Sequence, residues 1–204
     1  MKRYIQILLA CIVIIALVVA GYVGYKKLHH TSEPVTYDSV AKTEQTPEEK
    51  ADALLKTMSD ADKVGQLVMF GLHGTDLNQD STYMLSEFKP AGIIFFDRNM
   101  ESKEQVKTFI NHLNQQAKQN GSIPLFIAID QEGGAVTRME NQLIHVPAAQ
   151  ELGQQPLNTA LDWAHKSGKE LHELGFNLNF APDADLGLTY GRSFSTDPTT
   201  VVKY

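Results

Sequence analysis

The chain has 204 residues, a formal net charge of −6 and 21% charged residues. This balance is ordinary for a soluble globular domain, and no basic patch points to nucleic acid as a partner. The only cysteine is Cys11, which excludes a disulfide framework and leaves the rest of the chain without a thiol nucleophile.

The N-terminal segment 1–28 is apolar between two pairs of basic residues. Across residues 4–25 the only strongly polar side chain is Gln6. At ~1.5 Å per residue a helix of this length crosses a bilayer core of ~30 Å. We therefore expect an uncleaved signal anchor, a single-pass cell-membrane protein and an extracytoplasmic C-terminal domain. Two alternatives stay open: cleavage before Gly21, which would secrete the protein, and a lipoprotein signal at Cys11.

A change of composition marks the next segment. Residues 29–48 are dominated by Ser, Thr, Glu, Gln and Pro, which predicts a flexible linker. We place the folded domain at 49–204. Its first helix is predicted to begin at Pro47 with Thr46 as N-cap, and a second helical turn begins at Ser59.

Strands and helices alternate through the domain. Buried strands are predicted near residues 67–70, 92–96, 125–129 and 178–181. Helices are predicted at 83–88, between Ser102 and Asn120, and from Pro156 to Gly175. This alternation implies an α/β fold with a parallel sheet and right-handed crossovers, and four such units make half of a (β/α)₈ barrel.

Apolar spacing assigns a core face to the two longer helices. In the first, apolar residues recur at intervals of three and four, at Val106, Phe109, Ile110, Leu113 and Ala117. In the second, the predicted face contains Leu157, Leu161, Ala164, Gly168 and Leu171.

A carboxylate ends the third strand. The unbroken apolar run 125–129 predicts a strand buried on both faces, and Asp130 follows it, ahead of Gln131-Glu-Gly-Gly134. In α/β barrels the chemistry lies at this end of the strands, and glycines let a ligand approach the backbone closely. The alternative is that Asp130 caps a turn or helix. Residues 97–99 close the second strand at the same end.

Several motifs together resemble glycoside hydrolase family 3, in its β-N-acetylhexosaminidase branch. The resemblance runs from about Lys63 to the end of the chain. It is carried by Gly65-Gln-Leu67, Gly92–Asn99, Asp130–Gly134 with Arg138, Asn179–Pro182 with Asp185, and Gly191-Arg-Ser-Phe-Ser195 with Asp197-Pro198. The fold that the family implies is the (β/α)₈ barrel, of which about the first four β/α units would be present.

The resemblance also implies roles for three side chains. Asp130 would accept hydrogen bonds from sugar hydroxyls, and Arg138 and Arg192 would donate to the same sugar. Two structural alternatives stay open. Arg138 could pair with Glu132 or Glu140, and Arg192 could be a solvated loop arginine.

Two aspartates in the motif region have less specific readings. Asp183 stands where the family usually has an apolar residue, and we expect it at the surface. Asp185 is expected to hold its loop rather than to touch substrate.

Two catalytic groups of the family match no residue of this chain. The family's nucleophile is an Asp late in the barrel, and its acid/base is a His in a Lys-His-x-Pro-Gly-His-Gly motif. None of the seven histidines lies in that motif. We therefore expect no catalytic residue within these 204 residues, which correspond to the N-terminal part of the enzyme and alone should be inactive.

Three functions follow as hypotheses. The first is a hydrolase of terminal N-acetyl-β-D-hexosamine residues in cell-wall or chitin-type glycans. The second is a non-catalytic, membrane-tethered fragment that binds sugar. The third is an unrelated α/β domain, for instance a flavodoxin-like sheet, although no G-x-G-x-x-G loop follows the first strand. No metal-ligand spacing appears, and no cofactor is expected. The expected partners are a carbohydrate substrate and the membrane.

Overall fold

The computed structural model describes residues 45–204. The predicted anchor 1–28 and most of the predicted linker 29–48 lie outside the described residues. Residues Ala51–Tyr204 form one compact unit, which contains the sheet. Within the described range, no helix is both long enough and apolar enough to cross a membrane.

Short strands alternate with helices along the described chain. The strands are β1 Met69–Gly71, β2 Gly92–Ile94, β3 Phe126–Ile129 and β4 Leu178–Asn179. The α-helices are α1 Pro47–Thr57, α2 Asp60–Gly65, α3 Gln79–Phe88, α4 Lys103–Gln119, α5 Ala149–Leu152, α6 Leu157–Leu174 and α7 Pro198–Lys203. Single turns of 3₁₀ helix lie at Asp97–Asn99 and Thr189–Gly191.

The strands form one parallel sheet in the order β1-β2-β3-β4. Met69 pairs with Gly92, Gly92 with Phe126, and Ala128 with Leu178. The prediction of a parallel α/β sheet is confirmed. The flavodoxin-like alternative is wrong, because a doubly wound sheet reverses its strand order at a switch point and this sheet does not.

The main core lies between the sheet and helix α4. All five residues of the predicted apolar face of α4 are buried. Phe95, which follows β2, packs at 5.2 Å from the ring of Phe109 on α4 and at 5.4 Å from the ring of Phe176 before β4. The spacing of three and four therefore identified the face that holds this layer together.

The predicted face of α6 is partly wrong. Its buried residues are Ala160, Ser167, Leu171 and Leu174, whereas Leu161 is 47% exposed. The buried stripe is rotated around the helix axis relative to the predicted one, because the small residues Ala160 and Ser167 point inward. Periodicity alone identifies an amphipathic helix, but it does not decide which small residues face the core.

Strand β3 is not buried on both faces along its whole length. Ile127 and Ile129 are fully buried in the core beside α4, and Ala128 is also buried, but Phe126 is 53% exposed. Side chains of a strand alternate between its two faces. Phe126 thus points away from α4, to a face that the described helices leave partly open.

Helix ends follow the predicted capping signals with one exception. Thr46, Ser59 and Ser102 each accept a hydrogen bond from the backbone three residues on, and Gly175 ends α6 in a left-handed conformation. Helix α3 begins at Gln79, four residues earlier than predicted. Its N-cap is Asn78 in a capping box with Ser81, a pair in which Ser takes the place of the usual Glu or Gln.

Asn99 ties the exits of β1 and β2 together. Its side chain is 1% exposed. It donates to the carbonyls of Leu72 at 3.0 Å and Gly74 at 2.8 Å and accepts from the amide of Phe96 at 3.1 Å. Buried backbone groups need such partners, since an unpaired one loses its hydration without compensation.

We expect Asn99→Ala to lower the free energy of unfolding by ~2–4 kcal/mol, because three backbone groups lose their partner in a buried position. Urea denaturation checks this value. Asn114→Ala is the matched control, since Asn114 lies exposed on α4 and should change stability by less than ~0.5 kcal/mol. Equal stability of the two variants would show that Asn99 does not hold the strand exits together.

Candidate functional site

The C-terminal ends of the parallel strands lie at one edge of the sheet, and polar side chains gather there. Asp97 follows β2, Asp130 and Glu132 follow β3, and Asp183 follows β4. All four lie in segments that connect a strand to the next α-helix. Long side chains can reach from one such segment to another. Two arginines do so.

Arg138 joins the exits of β2 and β3. Its Nε and Nη2 atoms donate to the two carboxylate oxygens of Asp130 at 2.7 and 2.6 Å. Its Nη1 atom donates to Asp97 at 2.7 Å. The side chains of Arg138 and Asp130 are 20% and 22% exposed, and that of Asp97 is 62% exposed. We call these three residues the Arg138 cluster.

Hydrogen bonds from Arg138 to Asp130 raise the pKa of the guanidinium above its usual range, against the opposing effect of burial. An arginine side chain is charged at ordinary pH in any case, and these hydrogen bonds favour the charged form further. The fork of an arginine matches the two oxygens of a carboxylate, and this bidentate geometry fixes the plane of both groups.

Gln131 fixes the backbone that carries Arg138. Gln131 is buried, with 4% of the residue exposed. Its Oε1 atom accepts from the backbone amide of Arg138 at 2.6 Å. The backbone amide of Gln131 donates to Asn179 Oδ1 on β4 at 2.9 Å. The side chain of Asn179 donates back to the carbonyl of Gln131 at 3.3 Å. The position of Arg138 is thus set from β4 as well as from β3.

Arg192 forms a second cluster with two carboxylates. Its Nε and Nη2 atoms each donate to Glu132 at 2.8 Å, and Nη2 also donates to Asp183 at 2.9 Å. The hydrogen bonds to Glu132, and then the charges of the neighbouring carboxylates, raise the pKa of Arg192. We call Glu132, Asp183 and Arg192 the Arg192 cluster.

The residues after Arg192 anchor its loop. Ser193 is buried, and its hydroxyl accepts from the amide of Leu188 at 2.8 Å. Phe194 is buried and stacks on Tyr204 with ring centroids 5.4 Å apart. In the Arg-Ser-Phe motif, two residues therefore hold the loop while the first points to the carboxylates.

A tight turn brings Glu132 and Arg138 to the same edge. Gly133 and Gly134 have φ of +91° and +52°, a region that favours glycine. The amides of Glu132 and Gly133 both donate to the carbonyl of Val136 at 3.1 Å, and the amide of Val136 returns a bond to Gly133. The two glycines reverse the chain within a few residues of Asp130.

A cavity of about 470 Å³ adjoins the Arg192 cluster. Glu132, Asp183 and Arg192 lie in its wall, which is otherwise largely apolar. Its apolar wall includes Leu161, Trp163, Phe176 and Phe194. Asp130 and Arg138 are not part of this wall. The cavity therefore reaches only one of the two clusters.

The structure brings together two of the three predicted site residues. Asp130 and Arg138 are in direct contact, while no hydrogen bond within residues 45–204 joins Arg192 to either of them. Arg138 pairs with Asp130 and Asp97, so pairing with Glu132 or Glu140 is wrong. Arg192 is held by two carboxylates and is not a solvated loop arginine.

Several contributors were missed by the sequence analysis. Asp97 was recognised only as the end of a strand, Glu132 only as a candidate partner of Arg138, and Asp183 was expected at the surface. The side chain of Asp183 is in fact 21% exposed and bound to Arg192. The signal available was its place just beyond a strand end, at the edge where Asp130 was already expected. Asp185 donates its amide to Asp183 at 3.3 Å, which agrees with a role in holding the loop.

We expect Gly133→Ala to destabilise the protein by ~1–3 kcal/mol, because a Cβ atom would strain a left-handed backbone. It would also lie 2.7 Å from the carbonyl oxygen of Val146. Gly168→Ala is the matched control, since a Cβ atom there meets nothing within 4 Å and alanine favours the helix by ~0.5–1 kcal/mol. Thermal unfolding checks both, and equal shifts in the same direction would contradict the strain at Gly133.

Comparisons with known proteins agree on one family. The family model for the glycosyl hydrolase family 3 N terminal domain matches residues 60–204. A beta-hexosaminidase of Photobacterium profundum is 32% identical over 145 residues, which are 67% of this chain and 42% of that protein. The β-N-acetylglucosaminidase structure from Paenibacillus sp. str. FPU-7 is 37% identical and superposes with a TM-score of 0.69, over 72% of this chain and 29% of that one.

A third relative was solved with a sugar derivative. The structure of NagZ from Neisseria gonorrhoeae in complex with N-trifluoroacetyl-D-glucosamine is 28% identical, with a TM-score of 0.61, over 68% of this chain and 43% of that one. The chain thus spans less than half of the length of each of these relatives. The match over residues 60–204 shows that the chain belongs to glycosyl hydrolase family 3, through the N terminal domain of that family.

Proposed function

We propose that this chain forms part of the sugar-binding site of a glycoside hydrolase. The enzyme would remove terminal non-reducing N-acetyl-β-D-hexosamine residues from cell-wall or chitin-type glycans by a retaining mechanism. Membership of the family and the names of the relatives, beta-hexosaminidase and β-N-acetylglucosaminidase, support this substrate class.

The fold of the whole enzyme would be a (β/α)₈ barrel. Four adjacent parallel strands in sequential order are the arrangement from which such a barrel is built, and each strand is followed by helix. The barrel places its chemistry at the C-terminal ends of the strands. Both arginine clusters lie at that edge.

The contact between Asp130 and Arg138 is the observation that carries the proposal. A carboxylate has about four lone-pair sites on its two oxygens, and Arg138 uses one site on each oxygen. The carboxylate keeps acceptor capacity for two sugar hydroxyls while its plane is held by the guanidinium. A sugar in an active site is bound through such charge-assisted hydrogen bonds to its hydroxyls.

The two arginines would serve as donors to the same sugar. Arg138 has five N–H groups, of which three bind Asp130 and Asp97. One N–H remains on each of its Nη atoms. Arg192 binds Glu132, which follows Asp130 by two residues along the chain. The segment after β3 therefore contacts both arginines.

Asp130, Arg138 and Arg192 bind in this proposal and do not react. Retaining hydrolysis needs a nucleophile and an acid/base, which divide one displacement into two steps through a covalent intermediate. The resemblance assigns these groups to motifs that residues 1–204 do not match. The described side chains would supply orientation, by which the sugar carbon is held for attack.

We expect Asp130→Ala to weaken binding of N-acetylglucosamine by about 10²-fold or more. Hydrogen bonds to a charged group contribute ~1.5–3 kcal/mol each, and ~1.4 kcal/mol is tenfold. Ligand-observed NMR titration of the protein encoded by the complete gene measures the affinity. Hydrolysis of an aryl N-acetylglucosaminide by the same protein measures the reaction.

Asp162→Ala is the matched control, because Asp162 lies exposed on α6. It should leave affinity, hydrolysis and melting temperature unchanged. Near-wild-type affinity of Asp130→Ala would return Asp130 to a purely structural role. Binding without hydrolysis in the wild type would favour the alternative function, a sugar-binding protein without catalysis.

We also propose that residues 1–28 anchor the protein in the cell membrane with the family domain outside the cytoplasm. The support is the uncharged run between Lys2-Arg3 and Lys26-Lys27. Tyr4, Tyr22 and Tyr25 stand near its ends, where aromatic residues favour the membrane interface.

Fractionation with N-terminal sequencing tests the anchor. We expect the protein in the membrane fraction, resistant to extraction by high salt and released by detergent, with its first residues intact. A soluble protein that begins near Gly21 would overturn the anchor and support secretion after cleavage. A truncated variant that lacks residues 1–28 should be found in the soluble fraction.

A further inference from the structure

The Arg192 cluster has one carboxylate more than charge pairing requires. Glu132 alone satisfies the fork of Arg192, through two hydrogen bonds of 2.8 Å to Nε and Nη2. Asp183 adds a third bond, from the same Nη2 atom at 2.9 Å. The amide of Asp185 donates to the other oxygen of Asp183 at 3.3 Å, which sets the direction of that carboxylate.

Counting donors shows which part of Arg192 remains for a ligand. A guanidinium carries five N–H groups, one on Nε and two on each Nη. Glu132 and Asp183 together occupy Nε and both N–H groups of Nη2. Within residues 45–204, Nη1 has no hydrogen-bond partner. The Arg192 side chain is 35% exposed, and the two N–H groups of Nη1 remain for a ligand.

Counting charges gives the sign of the cluster. Two carboxylates and one guanidinium sum to −1, and the Asp185 carboxylate lies near enough to act on Arg192 through its charge. The side chain of Glu132 is 10% exposed and that of Asp183 is 21% exposed. Charges that water screens only in part act on a neighbouring ligand more strongly than exposed ones.

We propose that Asp183 positions Arg192 and makes this site select uncharged sugars over anionic ones. The proposal rests on the proposed sugar-binding function. Asp183 accepts from the second N–H of Nη2, which leaves Nη1 as the donor to the sugar. It also overcompensates the positive charge of Arg192, so a carboxylate on the sugar meets net repulsion where an unpaired arginine would attract it. A uronic acid or another acidic sugar is thereby disfavoured.

The selectivity is tested with two sugars of nearly the same shape, glucuronic acid and glucuronamide, alongside N-acetylglucosamine. In Asp183→Asn the amide oxygen still accepts from Arg192, but the charge is gone. We expect its affinity for the neutral sugars to fall by less than that of Asp183→Ala, which loses the acceptor as well. Its preference for glucuronamide over glucuronic acid should fall by about tenfold, because one unit charge near the ligand has been removed.

Two further variants separate the effects. Asp183→Ala removes both charge and acceptor, and we expect it to lose selectivity and also to bind neutral sugars at least about fivefold more weakly. Asp185→Asn removes a neighbouring charge without touching Arg192, and it should change the preference by less than about threefold. An unchanged preference in Asp183→Asn overturns the selectivity, and unchanged neutral-sugar affinity in Asp183→Ala overturns the positioning.

A measurement without ligand decides the positioning independently. Rotation of the Arg192 guanidinium about its Nε–Cζ bond is measured by side-chain ¹⁵N NMR, with Arg192→Lys for assignment. We expect faster rotation, by about tenfold, in Asp183→Ala and little change in Asp183→Asn, while melting temperatures confirm that both are folded. A wild type that binds none of the sugars overturns the proposed function and the selectivity with it. Unchanged rotation in Asp183→Ala overturns the positioning in either case.

Discussion

The pairing of two arginines with four carboxylates determines how the strand exits of this domain are arranged. Parallel strands in register deliver their loops to one edge, and the segments after β2, β3 and β4 each carry an acidic residue within their first four positions. Without cations between them, Asp97, Asp130, Glu132 and Asp183 would repel each other at the edge of a buried sheet. Arg138 and Arg192 reduce that repulsion and fix the distances between the carboxylates that they bind.

Such pairs contribute more to geometry than to stability. Taking charged groups partly out of water costs free energy that their attraction repays only when the hydrogen bonds are well aligned. The Arg138 and Arg192 forks meet this condition, because each binds a carboxylate through two bonds of 2.6–2.8 Å. Removing one member leaves its partner charged and unpaired. Arg→Lys exchange would keep the charge but lose the planar fork.

The sequence predicted the architecture of the domain better than the contacts at its edge. Alternating strands and helices, the apolar face of α4 and the carboxylate at the end of β3 follow from local periodicity and from the order of residues. The partners of Arg138 and Arg192 do not, because Asp97 lies 41 positions from Arg138, and Glu132 lies 60 positions from Arg192. Contacts over such distances depend on strand register. The half-exposed Phe126 has the same origin, since a local apolar run does not reveal whether both faces of the sheet are covered.

Side-chain amides extend the sheet where its backbone ladder ends. Strand β4 has only two residues, yet its flanking Asn177 binds the backbone of β3 twice, accepting from Ile127 at 2.7 Å and donating to Leu125 at 3.0 Å. Asn179 then binds the backbone of Gln131 in both directions. These bonds keep β4 in register without a longer ladder.

The same amides connect the sheet to the charged edge. Asn179 holds the backbone of Gln131, Gln131 holds the backbone of Arg138, and Arg138 reaches Asp130 and then Asp97. One chain of hydrogen bonds therefore runs from β4 through β3 to the exit of β2. Because each amide both donates and accepts, its orientation is fixed at every step. The direction of the Asp130 carboxylate is thus a property of three strands, although the residue itself belongs to one.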